Sequence, residues 1–276
     1  VGLVRAQYGR KSLFERCSRQ VGRLSNLLNW IFLICTAISI GYFGFSQQYL
    51  AAMPPVLRLG IYEGGFCLLA GTILWTLVMA AWKSLRSMPF IHGILAFLAG
   101  SCLAALPVIA LLCGRAHMQG VPFPDVLDYS HLTAFFLPAL DGVFWMSVAL
   151  LHGGEMAAAG GVALCWLLIR RNRDDYGRDY YAFAAKWCGT WAAWGGWLTL
   201  ICLACALYFL AAARTVQPEG AFPAFFMLVS LLFLLISSLL WTGIARSGMP
   251  MRHKIGMVLS VCLLIISTAS AGILLL

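Results

Sequence analysis

A chain of 276 residues that is 62% hydrophobic and only 11% charged lies outside the range of soluble globular domains, in which about a quarter of the residues carry charge. Apolar runs close to the length of a bilayer core recur along it, and no polar stretch between them is long enough for a soluble catalytic domain or a nucleic-acid-binding module. The net charge of +9 then bears on membrane topology.

In chain order, residues 1–25 form a basic amphipathic arm with Arg5, Arg10, Lys11, Arg16, Arg19 and Arg23. The arm carries no small-residue cleavage pattern, so it is expected to stay as a cytoplasmic surface helix. A three-helix membrane module follows over 26–113, with spans near Leu27–Phe45, Gly64–Trp82 and His92–Cys113. Met53-Pro54-Pro55 marks the first loop, and Lys83, Arg86 and Pro89 mark the second. The polar stretch 114–131 is an outer loop. Residues 132–276 make a second membrane module. It opens with the apolar run Leu132–Leu151, continues through His152, Gly153, Gly154 and Glu155 into a small-residue helix, and reaches Arg170 and Arg171. After the charged connector RRNRDDYGRDYYAFAAK come spans near Trp187–Ala211, Phe222–Ala245 and Ile255–Leu275.

Charge decides between two topologies. If Leu132–Leu151 crosses the membrane, the chain has eight spans and its Lys and Arg divide nine to ten between the two sides. If that run re-enters or lies on the outer surface, seven spans remain. The cytoplasmic side then holds sixteen cations, against Arg58, Arg115 and Arg214 outside. The positive-inside bias favours the second. Pro138, Asp141 and Gly142 also suit a broken segment shielded by protein. The expected fold is an all-α polytopic bundle in the cytoplasmic membrane, with seven spans, one re-entrant or outer-surface helix and the N-terminus inside. Eight spans is the alternative.

The cysteines fall mostly inside apolar helices and read as small hydrophobes. Cys202 and Cys205 form a C-x-x-C with neither the following His of a haem attachment site nor a second pair for zinc. His92 and His253 read as hydrogen-bonding residues near the cytoplasmic face. His152 differs, because Gly153, Ala157 and Gly161 follow it four residues apart. Such a face admits a neighbouring backbone, or a macrocycle beside an axial histidine bound to haem iron. On the outer side, His131, Asp141 and Glu155 are candidates for proton or quinone chemistry, since a carboxyl near a quinol can accept its protons. Trp187, Trp191, Trp194 and Trp197 recur at helical spacing and read either as interfacial anchors and packing or as a wall for a quinone or porphyrin ring.

From His152 the order is an apolar helix, a connector with paired tyrosines (Tyr180, Tyr181), then Lys186-Trp187 opening a helix rich in small and aromatic residues. Over about 132–212 this resembles the first helices of subunit I of the cytochrome bd quinol oxidases. The resemblance implies a histidine ligand to a b-type haem near the outer face, and only His152 carries over. The family's quinol-loop signature, its later haem ligands and its paired glutamates have no counterpart here.

Three readings of function result. The chain is a membrane subunit of a respiratory electron-transfer complex, holding haem b or a quinone near its outer face. Its partners would then be other membrane subunits and an outer-side electron carrier such as a cytochrome c. Alternatively it is a cofactor-free anchor or scaffold for a multi-subunit assembly. Against the third reading, a transporter, stand the few intramembrane charges and the absence of paired broken helices in related halves.

Overall fold

The computed structural model describes residues 12–45, 53–85, 87–118, 142–174, 176–212 and 221–273. Helices follow one another in the order α1 (Ser12–Phe45), α2 (Pro55–Ala80), α3 (Trp82–Leu85), α4 (Pro89–Met118), α5 (Gly142–Arg170), α6 (Arg178–Ala212), α7 (Ala221–Arg246) and α8 (Lys254–Ile273). A 3₁₀ turn, Pro250–Arg252, precedes α8. Six of these helices are long and apolar enough to cross a membrane, and α8 adds the shorter apolar helix Lys254–Ser270. This is an all-α polytopic membrane protein. The chain divides into two compact units, Val1–Phe144 and Trp145–Leu276.

In the first unit, α1 is one helix of 34 residues. The described part of the basic arm and the first span are therefore continuous, which corrects the expectation of a separate surface helix up to residue 25. Gly22 has the lowest helix propensity of the residues near that junction, and α2 packs against it. Trp75 Nε1 donates to the Gly22 carbonyl at 3.1 Å, and a methyl on Gly22 would meet Met79 Sδ at 2.8 Å. One turn on, Thr76 Oγ1 donates to Asn26 Oδ1 at 2.8 Å and accepts from Trp30 Nε1 at 3.0 Å. Helix α2 begins at Pro55 rather than near Gly64. Proline at the first helical position needs no N–H partner there, and the helix carries Arg58 and Glu63 into its span. Against α4, Gly60 meets Cys113 and Gly71 meets Leu103 and Cys102. His92 packs into the interior of this unit. It is fully buried, stands edge-on to Trp82 with ring centroids 5.0 Å apart, and is hydrogen-bonded to the backbone of Val78.

The second unit is organised around Trp241 on α7, whose exposure is 0%. Its ring needs two gaps in the neighbouring helices, and glycines supply both. A methyl on Gly161 of α5 would lie 3.2 Å from the ring, and one on Gly196 of α6 3.1 Å from it. Helices α7 and α8 are joined by serines seven residues apart. Ser230 Oγ donates to the Ser267 carbonyl at 3.0 Å and Ser267 Oγ returns the bond at 2.9 Å. One heptad along, Ser237 Oγ donates to the Ser260 carbonyl at 3.0 Å. Hydroxyls of this kind hold helices together where lipid gives no hydrophobic drive between them. Replacing both Ser230 and Ser267 by Ala should cost about 1 kcal/mol, given roughly 0.6 per interhelical bond. A thermal melt in detergent should show it as a drop of a few degrees, and an unchanged melt would mean that α7 and α8 are held by shape alone.

Helix α5 runs unbroken from Gly142 to Arg170. Residues 142–151 thus belong to the same helix as His152, and the separate outer helix or eighth span expected over 132–151 is corrected to that extent. Residues 132–141 lie outside the described residues. The glycine pair 153–154 does not end the helix because Gly153 is needed inside it for close packing.

Candidate functional site

The close packing is along the seam of α5 and α6. Its α5 side is Gly153, Ala157 and Gly160, spaced four and three residues apart. Its α6 side is Cys188, Ala192, Gly195 and Thr199. A methyl on Gly153 would meet Thr199 Oγ1 at 2.7 Å and the Thr199 backbone nitrogen at 3.1 Å. One on Gly160 would lie 2.6 Å from the Ala192 nitrogen and 2.8 Å from the Cys188 carbonyl. Gly195 faces the Ala157 nitrogen and the Gly153 carbonyl in the same way. The two backbones therefore run in contact, as small-residue faces permit in membranes.

This geometry tests the haem expectation. The Gly153/Ala157 face is filled by α6, and Gly161 is filled from another direction by Val261 and Trp241. A porphyrin does not fit against these residues. Among the described residues no group of three or more His, Cys, Asp or Glu side chains gathers as a metal site.

His152 stands ten residues into α5 and is half-buried. Its Nδ1 lies 2.9 Å from the Val148 carbonyl. A carbonyl only accepts, so in this contact Nδ1 carries the hydrogen and donates it. Glu155, three residues on, is exposed at the side of the helix and interacts electrostatically with His152. Residues three apart on a helix are neighbours, so α5 brings an imidazole and a carboxyl group together on a largely apolar helix. Asp141 and His131, the other acid–base candidates, lie outside the described residues.

The tryptophans diverge. Trp187 and Trp191 stand edge-to-face with centroids 5.9 Å apart, and Trp194 is 69% exposed on the outside of α6. Trp197 has turned about 80° off the line of Trp187 at 100° per residue, and its Nε1 donates to Thr242 Oγ1 on α7 at 3.0 Å. No single wall for a ring is formed by all four.

Glu63 escaped the sequence reading because it and Arg58 interrupt the apolar run, which moved the expected span edge past both. It borders a cavity of about 690 Å³ between α2 and α4, beside Tyr62, Phe66, Cys67 and Val108. A charge inside an apolar window is the available signal, and the continuation of α2 back to Pro55 is what gives it meaning.

No family model, curated protein or solved structure matches the chain.

Proposed function

We propose that the chain is a subunit of a respiratory electron-transfer complex in the cytoplasmic membrane, N-terminus inside, and that it takes the protons of a quinol at the outer edge of the bilayer. The observation that carries this reading is the His152–Glu155 pair. With Arg170 and Arg171 at the cytoplasmic interface, as the positive-inside bias favours, His152 is eighteen residues away along α5. That is about 27 Å of helix, close to the far edge of a hydrocarbon core about 30 Å thick. A quinol reaches such a depth from within the lipid, and Glu155 is exposed there to meet it.

The chemistry balances in two one-electron steps. The quinol loses two protons and two electrons: one proton passes to His152 Nε2 and the other to the Glu155 carboxylate. The electrons pass one at a time to an outer-side carrier such as a cytochrome c, leaving the quinone. Both acceptors then release their protons to the outer aqueous face.

A second reading, a cofactor-free scaffold subunit, is favoured by the α5–α6 seam, in which small residues serve helix contact alone. Purification of the intact assembly from native membranes in mild detergent separates the two. The electron-transfer reading expects partner subunits together with extractable quinone near one per complex. Partner subunits with no quinone would favour the scaffold, and a solitary chain without either would overturn both.

A further inference from the structure

At the end of the second unit away from His152, two stretches that are far apart in sequence close on a cavity of about 880 Å³. Arg171, Arg173 and Arg178 reach it from the α5–α6 connection, and Arg252 and Lys254 from the α7–α8 connection. All five are exposed, and among the described residues none has a carboxylate within ion-pair distance. Among the described residues of the lining the acid is Asp174, and it is held by Arg170. Arg170 Nε donates to Oδ2 at 2.8 Å and Nη2 to Oδ1 at 2.9 Å, a two-pronged pair that neutralises the carboxylate. Tyr181 fixes that turn by donating its hydroxyl to the Asp174 carbonyl at 2.8 Å. Among the described residues the five cations therefore have no carboxylate partner.

Two long helices also begin here. Helix α6 starts at Arg178, directly after Gly177, whose φ of 80° turns the chain into the helix in a conformation that glycine adopts without penalty. Helix α8 starts at Lys254 after the 3₁₀ turn. Gly177, Arg178 and Lys254 all line the cavity, so the positive ends of both helix dipoles border it. Met249, Met251 and Ala182 give it an apolar edge. Because Arg170 ends the span of α5, the cavity lies at the membrane–water boundary. Its volume is that of a ligand site, larger than one inorganic phosphate needs.

We propose that this cavity binds a phosphate-bearing anion, with the Arg171, Arg173, Arg178 and Arg252 guanidiniums and the Lys254 ammonium surrounding the phosphate oxygens. The inference is independent of the quinol reading, since neither His152 nor Glu155 lines the cavity. The phosphate can come from a lipid headgroup, as basic pockets beside membrane helices can take, or from a soluble phosphate ester.

The test uses the full chain in its complex, delipidated in a non-ionic detergent. One arm adds phosphatidylglycerol or phosphatidylcholine and counts retained lipid by native mass spectrometry. The other adds inorganic pyrophosphate and follows the thermal melt. A lipid source is expected to give retention of phosphatidylglycerol about tenfold over phosphatidylcholine, and a soluble source a pyrophosphate-dependent rise in Tm. The variant Arg173→Gln/Arg252→Gln/Lys254→Gln should lose either signal by about 100-fold in affinity, with its size-exclusion profile unchanged because all three side chains are exposed. Arg19→Gln/Arg23→Gln, in the other unit, should keep the signal. Equal retention of the two lipids with no response to pyrophosphate would overturn the proposal, and so would a triple variant that binds like the wild type.

Discussion

Gly195→Leu should strongly destabilise the second unit. Residue 195 has no room for a side chain: even a methyl would meet the Ala157 nitrogen and the Gly153 carbonyl of α5, with Met156 Cβ at 2.8 Å. Overpacking costs about 1–3 kcal/mol where side chains can move aside. Two of these neighbours are backbone atoms of a helix that also contacts α7 and α8, so the cost should reach or pass the top of that range. Against a native stability of roughly 5–15 kcal/mol, such a loss should bring low yield, aggregation on solubilisation and a melt lowered by ten degrees or more. Gly154→Leu is the matched control, since nothing lies within 4 Å of a methyl at Gly154, and it should melt within a degree or two of wild type. If Gly195→Leu gave the same melt as Gly154→Leu, backbone contact along the seam could not be what joins α5 to α6.

That seam also shows what a membrane sequence reveals and what it hides. Hydropathy located the helices, because twenty apolar residues have few other uses. It misjudged where they begin, since a helix does not end at the edge of the hydrocarbon. Helix α1 runs back to Ser12, α2 to Pro55 and α5 to Gly142, each through residues that hydropathy assigned to a surface helix, a loop or a separate segment. Facing directions were harder still, as lipid and protein interior are equally apolar and leave no amphipathic stripe to read. Only small residues mark a contact, and a four-residue count from Gly153 through Ala157 to Gly161 assigned one residue to the wrong neighbour. At 3.6 residues per turn the face continues through Gly160, while Gly161 turns towards Trp241. The serines of α7 and α8 and the acid Glu63 were equally visible in the sequence. They gain meaning only from partners or cavities brought by distant segments. The basic cavity is the extreme case, because its cations lie more than seventy residues apart and each group alone reads as an ordinary positive-inside loop.

The His152–Glu155 pair gives the other large expected effect. Glu155→Gln keeps the shape of the side chain and an oxygen that accepts hydrogen bonds, but removes a proton acceptor. Quinol affinity, read as KM, should change little, while kcat of quinol-dependent electron transfer by the intact complex should fall by about 10²-fold or more, as general-base losses do. On the proposed reading His152→Ala would remove both a proton acceptor and a ring in contact with the quinol, so it should raise KM as well as lower kcat. Neither change creates a packing clash: Glu155 is exposed and His152 is half-buried with its ring nitrogen bonded within its own helix. Subunit content and melting should therefore match wild type. A donor that reduces the outer-side carrier directly should bypass both variants and give the wild-type rate. The scaffold reading expects another pattern, with both substitutions nearly silent in every assay and Gly195→Leu alone destructive. Wild-type turnover by the Glu155→Gln/His152→Ala double variant would remove the quinol from this end of α5, and the pair would then be two polar residues at the rim of a packed helix.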